Sequence, residues 1–253
     1  LEKSTYSNYE VIIVENNSKN KETFEYYEKI QKKDNIQVKV YETHGEFNYS
    51  AINNFGVKYA KGEHILLLNN DIEIISNSWL EEMLMFSQRE DVGAVGAKLY
   101  YPNNTIQHAG VILGIGGVAG HSHKYFDRSA TGYMSRCFIQ QDLSAVTAAC
   151  LMMKKSVFEQ VNGLDEENFK VAFNDVDLCM KIRKAGYLIV WTPYAEAYHY
   201  ESISRGTEDT PEKQARFKGE AEAFMIKWKK ELELGDPYYN QNLTLEREDF
   251  SIN

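Results

Sequence analysis

The sequence has few cysteines, no excess of positive charge and no long hydrophobic run. Its three cysteines, Cys137, Cys150 and Cys179, are odd in number and form no Cys-x-x-Cys pair, so neither a disulfide framework nor a zinc site is indicated. A formal net charge of -9 argues against nucleic acid as the main partner, because phosphate backbones require a basic surface. An anionic ligand would need a local positive charge or a metal ion.

The hydrophobic residues are spread along the chain rather than gathered in a membrane-spanning stretch, and no basic and apolar leader opens the sequence. We therefore expect a cytoplasmic protein, with peripheral association at the inner face of the cell membrane as the alternative. Hydrophobic residues make up 43% of the 253, enough to bury about three quarters of the surface of the unfolded chain. One compact domain with appendages is expected.

The apolar run at residues 65–68 ends abruptly in three polar residues, Asn69, Asn70 and Asp71. A continuous apolar run is typical of a strand buried on both faces, which predicts a central strand of a mostly parallel sheet. Ligands of such sheets bind just beyond the carboxyl ends of the strands. The same residues are also common at ordinary strand exits, where their side chains satisfy free backbone groups. The motif alone leaves both interpretations open.

Residues 9–14 show the same pattern, a β-rich run that ends in Glu15, Asn16 and Asn17. Alternating elements lie between these two runs, and the order strand, helix, strand, helix, strand predicts a doubly wound α/β sheet. The elements predicted along the chain are helices over residues 21–33, 50–61 (closed by Gly62), 79–88 and 156–161 and strands over residues 37–41, 93–99 and 148–154.

Six glycines and three histidines lie between residues 105 and 135, a composition that predicts loops or ribbon near a ligand. His121 and His123 share one edge if this segment is a strand and would then offer two metal ligands. Polar loop residues are the favoured interpretation, because a metal pair needs a third ligand at a defined position. Residues 114–120 and 202–209 are predicted to close over substrates.

The second informative motif is a short amphipathic helix over residues 174–186 that begins with Asn174, Asp175 and Asp177. Asp177 is spaced to pair with Lys181 one turn later, whereas Asp175 at the helix mouth is free to face a cleft. An acid in the first turn of a helix is also favoured by the helix dipole alone, so this motif by itself does not decide between a structural and a functional role.

The third motif is a strand over residues 187–191 followed by an alternating segment that leads to His199. An imidazole there can bind the same cation as Asp71. The combination of a strand ending in Asn-Asn-Asp, an Asn-Asp-x-Asp helix and a histidine soon after resembles the family 2 glycosyltransferases of the GT-A fold. The resemblance is strongest to bacterial enzymes that build O-antigen, rhamnan and other cell-surface polysaccharides.

The resemblance spans about residues 9–200 and rests on residues 14–18, 47–53, 68–71, 163–166, 174–178 and His199. It implies a doubly wound, Rossmann-like mixed sheet with flanking helices. It also implies that Asp71 and His199 bind Mn²⁺ or Mg²⁺ at the diphosphate of the donor, and that Asp175 is the catalytic base. The remaining residues implied are, for the donor nucleotide, Glu15, Asn16, Asn17, Asn69 and Asn70 and, for the acceptor region, Asn174, Asp177 and Trp191.

The activity implied is inverting transfer of a sugar from a UDP- or dTDP-sugar to a hydroxyl of a growing cell-surface polysaccharide or lipid-linked glycan. One base without a second carboxylate nucleophile favours inversion. Two alternatives stay open: a sugar-nucleotide nucleotidyltransferase, and a non-catalytic domain that binds sugar nucleotides or acts as a scaffold.

The sequence departs from the family pattern in two ways. The Asp-x-Asp motif of the family is Asn69-Asn70-Asp71 here, so metal affinity should be weak until diphosphate oxygens complete the coordination shell. The family also opens with a strand and helix that have no match here. We therefore expect a fold without its first βα unit, with an uncovered sheet edge and an upstream segment or domain.

The C-terminal part of the chain is predicted to add a polar helix and an extended tail. The expected organisation is a glycosyltransferase domain over residues 1–205, followed by the helix and tail over residues 206–253. A helix over 212–232 is predicted to pack on the domain, and the alternative is a face for a membrane-bound acceptor that uses Lys227, Lys229 and Lys230.

Overall fold

The computed structural model describes residues 2–43, 45–201 and 210–253. The strands are β1 (Val11–Glu15), β2 (Ile36–Val40), β3 (His64–Leu68), β4 (Ile72–Ile74), β5 (Val92–Tyr100), β6 (Ile106–His108), β7 (Val111–Leu113), β8 (Ala119–His121), β9 (Gln141–Asp142), β10 (Cys150–Lys154) and β11 (Leu188–His199). The helices are α1 (Lys21–Ile30), α2 (Tyr49–Val57), α3 (Trp79–Ser87), α4 (Lys155–Gln160), α5 (Asn174–Lys184), α6 (Pro211–Lys227) and α7 (Lys229–Leu234).

The main sheet is mixed and has seven strands in the described part of the chain. Its order is β3-β10-β5-β11-β4, with β6 paired to β5 and β9 to β11. Strands β5 and β11 run parallel, while β10 is antiparallel to both β3 and β5. Two smaller sheets accompany it, a parallel pair β1-β2 and an antiparallel hairpin β7-β8. An α/β fold with a mixed sheet is therefore present, as the sequence predicted.

The position of β3 differs from the prediction. Its apolar run predicted a central strand of a mostly parallel sheet, but β3 is an edge strand and pairs antiparallel with β10. Burial alternates along it, and Leu68 is 44% exposed. Ile65 and Leu67 belong to the larger core and Leu66 packs against the other, so the apolar run reflects burial on both faces of an edge strand.

The parallel pair β1-β2 lies next to β3 without joining it. The backbone N–H groups of Lys61 and Gly62, just before β3, both donate to Oε1 of Glu10, just before β1. Within the described residues β1 pairs with β2 alone and β3 with β10 alone. Among the described residues each of these two strands therefore has one side without a strand partner. Helix α2 ends at Val57, so Gly62 does not close it as predicted.

Helices cover both faces of the main sheet. On one face, Trp79, Leu80 and Met83 of α3 pack against side chains of β5, β10 and β11. On the other face, α4, α5 and α6 contribute to the larger core, in which Phe224 is fully buried and Trp228 nearly so. All nine residues of β5 are buried between the two layers.

The C-terminal segment packs onto the rest of the chain, as its predicted helix implied. Thr210 caps α6 by accepting from the backbone N–H of Lys213, and Pro211 occupies the first turn. Beyond α7, Leu243 and Phe250 pack against the apolar side chains of the β7-β8 region. The predicted closing segment at residues 114–120 forms the turn and part of the second strand of this hairpin, and Gly116 and Gly117 in its turn are exposed. The other predicted closing segment, residues 202–209, and the domain boundary at 205 lie outside the described residues.

The described helices are all too short or too polar to cross a bilayer.

Candidate active site

Asp71 and His199 are brought together by the pairing of β4 with the end of β11. Asp71 immediately precedes β4, and His199 lies opposite Ile72 in the antiparallel register. The backbone N–H of Tyr200 donates to the carbonyl of Asp71 over 2.9 Å, which closes this corner. As a result Nε2 of His199 lies 3.2 Å from Oδ1 of Asp71, with both side chains largely buried. The structure therefore brings the two predicted metal ligands into contact.

The hydrogen-bond network assigns the tautomer of His199. Nε2 of Gln107 donates to Glu201 over 3.1 Å, which turns Oε1 of Gln107 toward the histidine. Oε1 is only an acceptor and lies 2.7 Å from Nδ1 of His199, so Nδ1 carries the proton. In its neutral form the ring presents a lone pair on Nε2 toward Asp71.

This pair fits two neighbouring ligands of a divalent cation. Ligands at right angles around a cation at about 2.1 Å lie about 3 Å apart, close to the observed 3.2 Å. Asn69 Nδ2 lies 3.3 Å from the same Nε2, and a cation would replace this hydrogen bond. Within the described residues no group of three or more histidine, cysteine or acidic side chains is arranged for a metal. The remaining coordination positions would therefore be filled by other oxygens, such as those of water or a diphosphate.

Asp175 lies at the start of α5, where it accepts two backbone hydrogen bonds. Oδ2 accepts from Ala148 over 3.2 Å and Oδ1 from Val176 over 2.8 Å. Burial raises the pKa of the Asp175 carboxyl, while hydrogen bonds from Thr147, Ala148 and Val176 oppose the rise. A carboxylate with a raised pKa is a stronger base, which suits proton abstraction.

Three consecutive residues before β10 connect the separate parts of the site. The N–H of Thr147 donates to Nε2 of His108, and the N–H of Ala148 donates to Asp175. The carbonyl of Ala149 accepts from the N–H of Asn69, two residues before Asp71. The predicted base therefore borders the same short segment as Asn69, which lies two residues before Asp71 and contacts His199, although these residues are far apart in the sequence.

The predicted nucleotide residues after β1 hold their loop together. Glu15 is buried and accepts from the N–H and hydroxyl of Ser18 and from the Tyr27 hydroxyl. Asn16 Nδ2 donates to the carbonyl of Tyr41 and to Thr43 Oγ1. Asn17 adopts a left-handed backbone conformation at φ 55°. Among the residues after β3, Asn69 contacts His199, whereas Asn70 is exposed.

The residues predicted for the acceptor region are interior residues, and this contradicts the prediction. Trp191 is fully buried, and its indole N–H donates to the carbonyl of Ala97. Asp177 is also fully buried and pairs with Lys227 over 2.8 Å and with the indole N–H of Trp228 over 2.9 Å. Asn174 is 4% exposed and donates to the carbonyl of Val171. Sequence spacing identified the helix but not the face it buries.

Sequence reasoning gave no role to several residues that line this site. A cavity of about 70 Å³ lies beside His199 and is lined by Tyr101, Gln107, His121, Lys124, Thr147 and Glu201 as well. Gln107 and His108 lie on β6 and His121 on β8, so only tertiary pairing reveals the group. His123, in contrast, is a structural residue that accepts from the N–H of Tyr133 and lies close to the Ser122 hydroxyl.

Solved structures with the same fold are glycosyltransferases. One is GalNAc-T7 with UDP, GalNAc and Mn²⁺, which superimposes with a TM-score of 0.61 at 13% identity and covers 92% of this chain and 53% of that one. At such low identity the similarity establishes the fold alone. The fold is therefore the GT-A fold of glycosyltransferases, as the sequence predicted.

Curated relatives match over the full length of the chain. The uncharacterized protein y4gI of Sinorhizobium fredii is 50% identical over 252 residues, which are 100% of this chain and 28% of that protein. The O-antigen biosynthesis protein RfbC of Myxococcus xanthus is 40% identical over 256 residues, 100% of this chain and 19% of that protein. The chain thus spans less than a third of the length of these relatives.

The family profile of glycosyl transferase family 2 matches residues 1–161, well over half of the chain. The chain belongs to glycosyltransferase family 2.

Proposed function

We propose that this domain transfers a sugar from a nucleoside-diphosphate donor to a hydroxyl group of a cell-surface polysaccharide or lipid-linked glycan, with inversion at the anomeric carbon. The proposal rests on family membership for the reaction class and on the geometry around Asp71, His199 and Asp175 for the residue roles. The 40% identity to a protein named for O-antigen biosynthesis supports the polysaccharide acceptor.

The observation that carries the assignment is the pair formed by Oδ1 of Asp71 and Nε2 of His199, 3.2 Å apart. Gln107 and Glu201 orient the imidazole so that its lone pair faces the carboxylate. A histidine held by such an outer hydrogen bond is a typical metal ligand. We infer that Asp71 and His199 hold Mn²⁺ or Mg²⁺ together with the donor diphosphate. When bound, the cation neutralises the charge that develops on the departing nucleoside diphosphate.

Asp175 is the proposed base. Its carboxylate takes the proton from the acceptor hydroxyl while that oxygen forms a bond to the anomeric carbon and the bond from that carbon to the diphosphate oxygen breaks. The products are the glycoside, the nucleoside diphosphate and a protonated Asp175. A single displacement inverts the configuration.

The donor nucleotide is proposed to bind at the end of β1, beside Glu15, Asn16 and Asn17. Glu15 is fixed by Ser18 and Tyr27, so its proposed role is to shape the loop that receives the base and ribose. The two asparagines lie next to the segment after β2 and present amide groups there. Asn69 and Asn70 are proposed to contact the donor from the end of β3.

Peripheral association with the inner face of the membrane remains a proposal, but Lys227 is no longer part of it. Lys227 pairs with Asp165 over 3.0 Å and with Asp177 over 2.8 Å, so its charge is used within the fold. All three lysines considered for a membrane face are exposed, and Lys229 and Lys230 are the two that do not pair with Asp165 or Asp177.

A donor screen tests the proposal. The chain is incubated with UDP-, dTDP- and GDP-sugars and Mn²⁺, with a glycan acceptor panel, and released nucleoside diphosphate and product anomeric configuration are measured by NMR. We expect one donor class to give an inverted glycoside. Binding of a donor without turnover of any acceptor would favour a non-catalytic sugar-nucleotide-binding domain, and a retained configuration would contradict the single displacement.

A further inference from the structure

At the cavity beside His199 lies a histidine pair that the proposed reaction does not use, and one of its two rings, His121, lines the cavity. His108 is fully buried on β6, and His121 on β8 lines the cavity together with Glu201 and Lys124. Their Nδ1 atoms lie 2.9 Å apart, and the two rings are nearly perpendicular. The cavity lies between His199, the proposed cation ligand, and Thr147, which borders the proposed base.

Two hydrogen bonds fix the tautomers of both rings. The backbone N–H of Thr147 can only donate, and it lies 3.3 Å from Nε2 of His108, so that nitrogen carries no proton. The neutral ring of His108 therefore carries its proton on Nδ1 and donates it to Nδ1 of His121. Because Nδ1 of His121 accepts, the neutral ring of His121 carries its proton on Nε2.

Burial keeps both rings neutral. It lowers the pKa of His108 well below the usual histidine value, and it lowers that of His121 to about 4, with Lys124 adding to the effect. The same tautomers exclude a metal ion between the two rings, because Nδ1 of His108 is protonated. The pair thus offers one neutral N–H donor, Nε2 of His121, and no hydrogen bond within the described residues uses it.

We propose that Nε2–H of His121 donates a hydrogen bond to a hydroxyl oxygen of the donor's sugar, and that His108 is the positioning residue that fixes this donor. The inference rests on the proposed function, since a donor diphosphate at Asp71 and His199 places its sugar next to this cavity. A neutral donor beside the Glu201 carboxylate suits a hydroxyl, which can accept from His121 and donate to Glu201. At about 70 Å³ the cavity admits one edge of a sugar ring rather than a whole glycan.

The first test reads the tautomers directly and does not depend on activity. Long-range ¹⁵N–¹H correlation spectra of the histidine-labelled chain at pH 7 should show the proton on Nδ1 of His108 and on Nε2 of His121. In His108→Phe the donor to Nδ1 of His121 is lost, and His121 should become a mixture of tautomers. A proton on Nδ1 of His121 in the unchanged chain would overturn the inference.

The second test compares nucleotide sugar with nucleotide. His121→Phe keeps a ring of similar shape but removes the donor, and His64→Phe at the opposite end of β3 from Asp71 is the matched control. With the nucleotide sugar selected by the donor screen, His121→Phe should lower affinity about 2- to 10-fold, the range for one neutral hydrogen bond, and leave the affinity for the free nucleoside diphosphate unchanged.

The outcomes separate the two proposals. Equal losses for nucleotide sugar and nucleotide, or no loss in His121→Phe, would overturn the role of His121 while leaving the transferase function intact. A deoxy-sugar donor identifies the hydroxyl involved, because the analogue that lacks it should bind the unchanged chain and His121→Phe equally. If the unchanged chain binds no nucleotide sugar at all, the proposed function itself is refuted.

Discussion

Substituting Asp71 and His199 by alanine, separately and together, tests whether the two side chains bind the same cation. Asp71→Ala, His199→Ala and the double variant are compared with the unchanged chain, and His64→Ala serves as a control because His64 lies at the other end of β3. Each single substitution should weaken binding of nucleoside diphosphate in the presence of Mn²⁺, because each removes one ligand from the shared site.

The expected size follows from the 3.2 Å between Oδ1 of Asp71 and Nε2 of His199. Groups in direct contact typically show a coupling of about 0.5–3 kcal/mol, so the double variant should lose less than the sum of the two singles by this amount. Gln107→Leu removes the acceptor that orients His199. It should lower Mn²⁺ affinity about 10- to 100-fold, the usual effect of losing an outer hydrogen bond to a metal ligand.

Isothermal titration with UDP and with dTDP, each with and without Mn²⁺, measures these affinities. The predicted pattern is metal-dependent binding that all three single substitutions weaken and the control does not. Strictly additive losses, or binding that is the same with and without metal, would refute a shared cation site.

Two further predictions concern stability. Breaking a buried ion pair typically lowers the free energy of unfolding by about 3–5 kcal/mol. For Asp177→Asn we expect a loss near the lower end of this range, because Lys227 keeps 34% of its side chain exposed. Urea unfolding measures this, and loss of transfer at unchanged stability would instead restore Asp177 to the acceptor region. The second prediction is that stability falls as the pH drops from about 6.5 toward 4. The reason is that three histidines, His108, His121 and His123, stay neutral in the fold because they are buried, and they take up protons only after unfolding. Their lowered pKa values carry no cost above about 6.5, where the histidines are neutral in both states, and they destabilise the fold below it, whereas the raised pKa values of Asp175 and Glu220 partly oppose the trend. Urea unfolding at pH 7.5 and 5 should show a smaller difference for His123→Gln than for the unchanged chain, and an equal difference would contradict the assignment.

The sequence predicted the parts of the site that lie at element boundaries. Asn69 to Asp71 follow a strand and Asp175 opens a helix, and both positions can be recognised from local patterns of apolar and polar residues. The pairing of His199 with Asp71 depended on the family resemblance, because the register of β4 and β11 is a tertiary property.

The parts that the sequence could not predict depend on which surface each element buries. The helix that carries Asp175 also carries Asp177, and only packing against Trp228 shows that Asp177 points inward. Trp191 lies on a strand whose neighbours are not local in sequence, so its burial was not visible either. His108 and His121 are thirteen residues apart, and hairpin pairing within a glycine-rich segment brings them together.

The most direct test of the central claim is the rate of sugar transfer by Asp175→Asn, measured with the donor from the screen alongside its binding affinity. The amide keeps the shape of the carboxylate but cannot take the acceptor proton, so transfer should fall by at least a few hundredfold, within the about 10²- to 10⁴-fold range of general-base catalysis. Donor binding should stay close to that of the unchanged chain. Asp34→Asn makes the same chemical change at an exposed position and should transfer normally. Near-normal transfer by Asp175→Asn would contradict the assignment of this residue as the base.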